Sequence, residues 1–72
     1  MPGRPTLSGR AVTQGLERAG FDGTGQRGRP VKLRHSDRRV VFVPLHRELA
    51  PGTLRSLLRQ ARMALDELPT FL

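Results

Sequence analysis

Between Gly28 and Ala61 the apolar pattern changes its repeat from two residues to three or four, and this switch restricts the fold more than any other feature. Val31-Lys32-Leu33-Arg34 alternates apolar and charged side chains. That is the pattern of a half-buried antiparallel strand with Val31 and Leu33 inward and Lys32 and Arg34 outward. Ser36-Asp37-Arg38 turns the chain. Val40-Val41-Phe42-Val43 is β-branched and aromatic and ends at Pro44, so it reads as the central strand. Pro51 then suits a first helical position, because its fixed φ is helical and its missing N–H would be unpaired there anyway. Leu54, Leu57, Leu58 and Ala61 follow as one apolar stripe of a helix that runs to about Arg62.

The remainder fits around this hairpin and helix. Residues 1–6 hold two prolines and a glycine without periodicity and read as a flexible arm, leaving residues 7–72 as one domain. Ser8 is an N-cap and Leu7 a staple for Val12, so a first helix is expected over Gly9 to Ala19 with Val12, Leu16 and Ala19 inward and Gly20 closing it. Gly15 inside it costs about 1 kcal/mol relative to alanine. Phe21 to Arg27 is expected to be the first strand, a ragged one because Gly23 and Gly25 have no side chain to pack. Met63 to Leu68 is expected to form one more turn that lays Leu65 and Leu68 over the open end of the core. The predicted fold class is therefore α+β: an α-β-β-β-α two-layer sandwich with an antiparallel three-stranded sheet, both helices on one face and the other face free.

Thirteen Lys plus Arg against six acids give a net charge of +7, and every one of the thirteen except Lys32 is arginine, the side chain that grips phosphate bidentately. Nucleic acid is the leading partner; an acidic protein partner could use the same surface, and the bland alternative is arginine written at solvated positions. Cysteine is absent, which removes disulfides and thiolate metal sites. Two histidines and scattered acids show no ligand spacing, so no metal or other cofactor is expected. No apolar run reaches the roughly 18 residues of a membrane span, and Met1-Pro2-Gly3-Arg4-Pro5 lacks the apolar region of a secretory signal. The expectation is a cytoplasmic protein without a membrane partner.

Several runs of the sequence resemble one known family. Ser8-Gly9-Arg10 through Ala19-Gly20-Phe21, Val31-Lys32-Leu33-Arg34-His35, Val43-Pro44, His46-Arg47-Glu48-Leu49 and Pro51-Gly52-Thr53-Leu54-Arg55-Ser56-Leu57-Leu58-Arg59-Gln60-Ala61 look like the HicA toxins of bacterial toxin–antitoxin pairs, in order and at similar spacing from about residue 6 to 68. The resemblance implies a fold similar to double-stranded-RNA-binding domains and an mRNA interferase, a metal-independent endoribonuclease held inactive by a HicB-type antitoxin.

In that family a Gly-Ser-His element leads into the second strand, and its histidine carries cleavage. RNA cleavage without metal needs a base near pKa 7 to take the 2′-hydroxyl proton, which histidine supplies. Here the matching triplet is Gly28-Arg29-Pro30, and proline has nothing to titrate. His35 lies an odd number of residues beyond Pro30 and points to the opposite strand face. His46, in a loop that matches the family, is the remaining candidate. The family's glycines are also replaced, by Arg38 after the second strand and by Arg62 at the end of the last helix.

For binding, Lys32 and Arg34 share a face by parity with Pro30, and Arg27, Gly28 and Arg29 lead into it. Arg55, Arg59 and Arg62 form a second basic stripe at i, i+4 and i+7. No aromatic is expected to interleave these cations, so base stacking is not. Two readings follow: a HicA-like interferase that binds mRNA, and a catalytically silent HicA-like module that binds RNA or antitoxin without cutting. A DNA-binding module ranks below both, since no helix-turn-helix spacing supports it.

Overall fold

The computed structural model describes residues 7–23 and 30–68. Their order is α1 (Gly9–Arg18), β1 (Val31–Arg34), β2 (Val40–Val43), α2 (Pro51–Ala61) and a 3₁₀ turn (Leu65–Glu67). The expected arm at residues 1–6 lies outside the described residues.

Local chemistry explains each helix limit. At α1, Ser8 Oγ accepts from the Ala11 N–H at 3.0 Å, meeting one of the donors that a helix start leaves unpaired. The helix closes as a Schellman motif: Gly20 N–H donates to Glu17 O at 3.1 Å and Phe21 N–H to Leu16 O at 2.9 Å. Gly20 sits at φ 102, where a side chain would be strained. Helix α2 begins at Pro51 and ends with the same two bonds, Arg62 N–H to Arg59 O at 3.1 Å and Met63 N–H to Leu58 O at 3.0 Å. Its left-handed residue is Arg62, at φ 57.

The two strands pair antiparallel in the register Val31 with Val43, Lys32 with Phe42, Leu33 with Val41 and Arg34 with Val40. Val31, Leu33, Val41 and Val43 point inward and are buried. With Val12 and Leu16 of α1 and Leu57 and Ala61 of α2 they form one core, closed by Leu7, Phe21, Leu49 and Leu68. Two helices on one face of one antiparallel sheet make the molecule α+β in two layers.

Among the described residues the sheet has two strands. Of the expected strand from Phe21 to Arg27, what is described is a single bridge: Asp22 N–H donates to Arg34 O at 2.7 Å and Arg34 N–H to Asp22 O at 2.9 Å. Residues 24–29 lie outside the described residues. The expectation that Val40–Val43 is the central strand needs correction. That bridge occupies the edge of β1 away from β2, so β1 is the inner strand and β2 the outer one. The outward backbone of β2 finds a side chain instead, with Phe42 N–H donating to Gln60 Oε1 of α2 at 3.2 Å.

Past α2, the turn at Leu65–Glu67 seats Leu68 in the core but leaves Leu65 exposed, contrary to the expectation that both would cover it. Glu67 Oε1 accepts from Ala64 N–H at 2.7 Å, which fixes the turn in the orientation that buries Leu68 alone.

Candidate nucleic-acid interface

Both helices cover the inner face of the hairpin, and among the described residues nothing covers its outer face. Alternation places Pro30, Lys32 and Arg34 on that face from one strand and Val40, Phe42 and Pro44 from the other. Arg34 is exposed and Lys32 half-buried. The Lys32 ammonium lies 5.8 Å from the centroid of the Phe42 ring, its cross-strand partner. At that distance the ring's electron-rich face attracts the cation and orders the long side chain.

Phe42 corrects the sequence reading. An aromatic does interleave the basic side chains: Phe42 is 47 % exposed and directly across from Lys32. The signal was present, since in Val41-Phe42-Val43 the burial of the two valines turns the ring between them outward.

Beyond the ring the chain leaves β2 and loops back, forming an open cavity of about 400 Å³ lined by Pro30, Phe42, Pro44, Leu45 and His46. Of the five lining residues only His46 has a polar side chain. The loop is held from beneath by α1. Gly9 N–H, another unpaired donor of the helix start, donates to His46 O at 2.8 Å, and Leu49 N–H donates to Leu7 O at 2.8 Å. Gly9 is required for this approach, because a Cβ there would lie 2.0 Å from Pro44 O. The exposed His46 therefore stands on a backbone fixed to the helix.

His35 sits elsewhere. Its ring meets Phe21 edge-on at 5.0 Å between centroids and packs over Gly20, and its Nδ1 accepts from Asp37 N–H at 3.2 Å. It belongs to the hairpin tip on the core side. There a second open cavity of about 700 Å³ is bordered by Asp22, Arg34, His35, Arg38 and Arg39. The Arg39 guanidinium is held by Asp37, with Nε 2.8 Å from Oδ2, and this hydrogen bond keeps the Asp37 carboxyl below the ordinary carboxylate range. Arg38, in the turn, adopts φ 81.

The two basic stripes do not merge. Gln60 is the α2 side chain bonded to the outward backbone of β2, and at 100° per residue Arg55, Arg59 and Arg62 are centred roughly 135° around the helix from it. All three are exposed, on a flank turned away from the edge of β2. Arg27, Gly28 and Arg29 lie outside the described residues, so of the expected set the structure assembles Lys32 and Arg34, with Pro30 and His46 beside them. Among the described residues no three His, Cys, Asp or Glu side chains are grouped as a metal site requires. Nor is any helix there long and apolar enough to cross a membrane.

A search of curated proteins found no match to this chain. The family model described as the HicA toxin of bacterial toxin–antitoxin systems matches residues 9–63, from the first residue of α1 to the second residue beyond α2. That span contains both helices, both strands and the loop of His46, and the chain belongs to the HicA toxin family.

Proposed function

We propose that this chain is the toxin of a type II toxin–antitoxin pair that acts in the cytoplasm by binding mRNA on the outer face of its hairpin and cutting it, and that a HicB-type antitoxin neutralises it. Family membership supplies the toxin role and implies an antitoxin partner. The observation that carries the RNA reading is the sheet face with Lys32 and Arg34 on it and, among the described residues, no helix over it. Those cations, with Arg27 and Arg29 on either side of Gly28 ahead of the strand, neutralise phosphates along a ribose-phosphate backbone. Arg55 and Arg59 serve a separate contact on the far flank of α2.

Cutting without a metal needs a base for the 2′-hydroxyl. The oxygen then attacks the adjacent phosphorus, the P–O5′ bond breaks, the 5′-oxygen takes a proton from water while the protonated base returns its own to solvent, and a 2′,3′-cyclic phosphate remains. The resemblance puts the family's histidine at Pro30, which has no proton to move. His46 lines the same cavity as Pro30 and is our candidate for the base, and Lys32 offsets the charge that develops on the phosphate. His35, engaged with Phe21 and the Asp37 backbone, takes no part.

An RNA cleavage assay in chelator tests this. Native protein and His35→Ala should cut, and His46→Ala should not. Cutting that survives loss of both histidines would refute the need for one. The replacement at Pro30 favours the second reading, a silent module that binds RNA or antitoxin, and that reading holds if only Pro30→His cuts. Lys32→Ala should weaken binding of all RNA sequences alike and lower the slope of log affinity against log salt by about one.

A further inference from the structure

We propose that Phe42 is a stacking platform for one unpaired nucleobase, so that this face takes single-stranded RNA and discriminates against a duplex. The proposal rests on the RNA-binding reading above and adds to it the form of RNA bound.

Four observations point to a base rather than to a bare phosphate chain. Phe42 is 47 % exposed in a chain whose only other described phenylalanine, Phe21, is buried. An isolated aromatic left outward in the middle of a strand gains nothing from the core. Second, its ring borders a cavity of about 400 Å³ whose other walls are Pro30, Pro44, Leu45 and His46. Two prolines and a leucine give flat apolar contact, and the imidazole adds one hydrogen-bonding group, which is the composition that suits a planar heterocycle with a polar edge.

Third, the charge is complementary. The Lys32 ammonium stands over the ring, 5.8 Å from its centroid, so an incoming base takes that place and the flexible ammonium moves to the phosphate. Among the described residues no carboxylate lines the cavity. A base seated on Phe42 therefore places its own phosphate within reach of an ammonium. Fourth, the patch is small. Phe42 and Leu45 are its exposed large apolar side chains, at 47 % and 40 %. A stable protein interface buries roughly 800 Å² on each partner around several anchors, whereas one ring is sufficient for one base.

Stacking requires that the base leave its helix. In a double-stranded RNA the bases are paired and stacked on one another, and side chains reach mainly the backbone and the minor groove. A protein that relied on shape alone would leave the ring idle. Single-stranded RNA offers every base face, and the contact tolerates any sequence because each base has a π surface.

The test uses a short single-stranded RNA carrying one 2-aminopurine, the same strand with an abasic site in place of that base, and the duplex. Native protein should quench the 2-aminopurine and bind the intact strand more tightly than the abasic strand or the duplex. Phe42→Leu keeps an apolar side chain of similar reach but removes the π face. It should bind the intact strand roughly 5- to 150-fold more weakly and lose the quench. Phe42→Trp should restore both. Phe42→Leu that binds the intact strand as tightly as native protein overturns stacking while leaving RNA binding on this face intact. The same is true if Phe42→Leu weakens only the complex with a HicB-type protein, which would assign the ring to that partner. Absence of binding to all three RNAs defeats the RNA reading itself and stacking with it.

Discussion

The Arg39 guanidinium donates from Nη1 to the carbonyl oxygen of Ala61, tying the strand after the hairpin turn to the last residue of α2, 22 positions further on. Three other contacts hold it there. Asp37 accepts from Nε at 2.8 Å and 3.0 Å, and the guanidinium carbon lies 5.0 Å from the centroid of Phe21. The side chain is only 18 % exposed, so these contacts are partly shielded from water. Arg39→Ala leaves a helix carbonyl without its donor and removes a cation from the ring, and it should destabilise the fold by about 2–3 kcal/mol. Arg39→Lys should recover less than half of that, because an ammonium cannot serve carboxylate and carbonyl in the same fork. Urea denaturation midpoints of the three proteins measure both effects.

The Asp37 carboxylate gives the pair a pH dependence with a definite sign. The hydrogen bond from Arg39 lowers its folded pKa below the ordinary 3.8. A depressed carboxylate stabilises the fold fully above that ordinary value, and the contribution is lost as pH falls through the lower folded value. Asp37 is largely exposed, so the increment is small and screened by salt. Asp37→Asn should therefore be less stable than native protein at neutral pH, with the difference closing below the ordinary carboxylate range. Stability curves from pH 2 to 7 at low salt show whether the gap narrows or stays constant.

Legibility in the sequence followed how local each determinant was. Ser8, Gly20, Pro51 and the alternation at Val31–Arg34 act within a few residues of themselves, and the helix limits and strand faces read from them agree with the structure. Strand order was not legible, because the Asp22 to Arg34 bridge and the capping of Phe42 N–H by Gln60 depend on residues far apart in sequence. The valine-rich run looked central but is closed at its outer edge by a side chain. At the candidate site, parity located Lys32 and Arg34 correctly. Phe42 is legible only when the parity that buries Val41 and Val43 is applied to it, since aromatic character by itself points to the core. The meeting of His46 with Pro30 depends on how α1 holds the loop, which no spacing in the chain reveals.

Arg38 in the hairpin turn and Arg62 at the end of α2 occupy left-handed backbone, at φ 81 and φ 57; the residue that matches Arg62 at the end of α1 is Gly20. For an L-residue that region costs roughly 1–2 kcal/mol, partly offset by the freedom that glycine adds to the unfolded chain. Arg38→Gly and Arg62→Gly should each stabilise the protein by about 0.5–1 kcal/mol. Arg38→Ala and Arg62→Ala should give no such gain, which separates relief of backbone strain from relief of charge repulsion. Thermal unfolding of the four variants decides between the two causes.

Two helix-starting glycines make opposite predictions. A Cβ on Gly9 meets the Pro44 carbonyl oxygen at 2.0 Å, whereas one on Gly52 meets nothing within 4 Å. Gly9→Ala must push α1 away from the loop and strain the bond from its N–H to His46 O, for a loss of about 1–3 kcal/mol. Gly52→Ala, near the start of α2, should gain about 0.4–1 kcal/mol by restricting the unfolded chain. The functional outcomes should separate as well. Because Gly9 sets the height of the His46 loop beside Pro30 and Phe42, Gly9→Ala should reduce RNA cleavage or binding even at temperatures where it is fully folded. Gly52→Ala should leave both unchanged. Equal RNA activity in folded Gly9→Ala and native protein would mean that the seating of this loop on α1 does not govern the site.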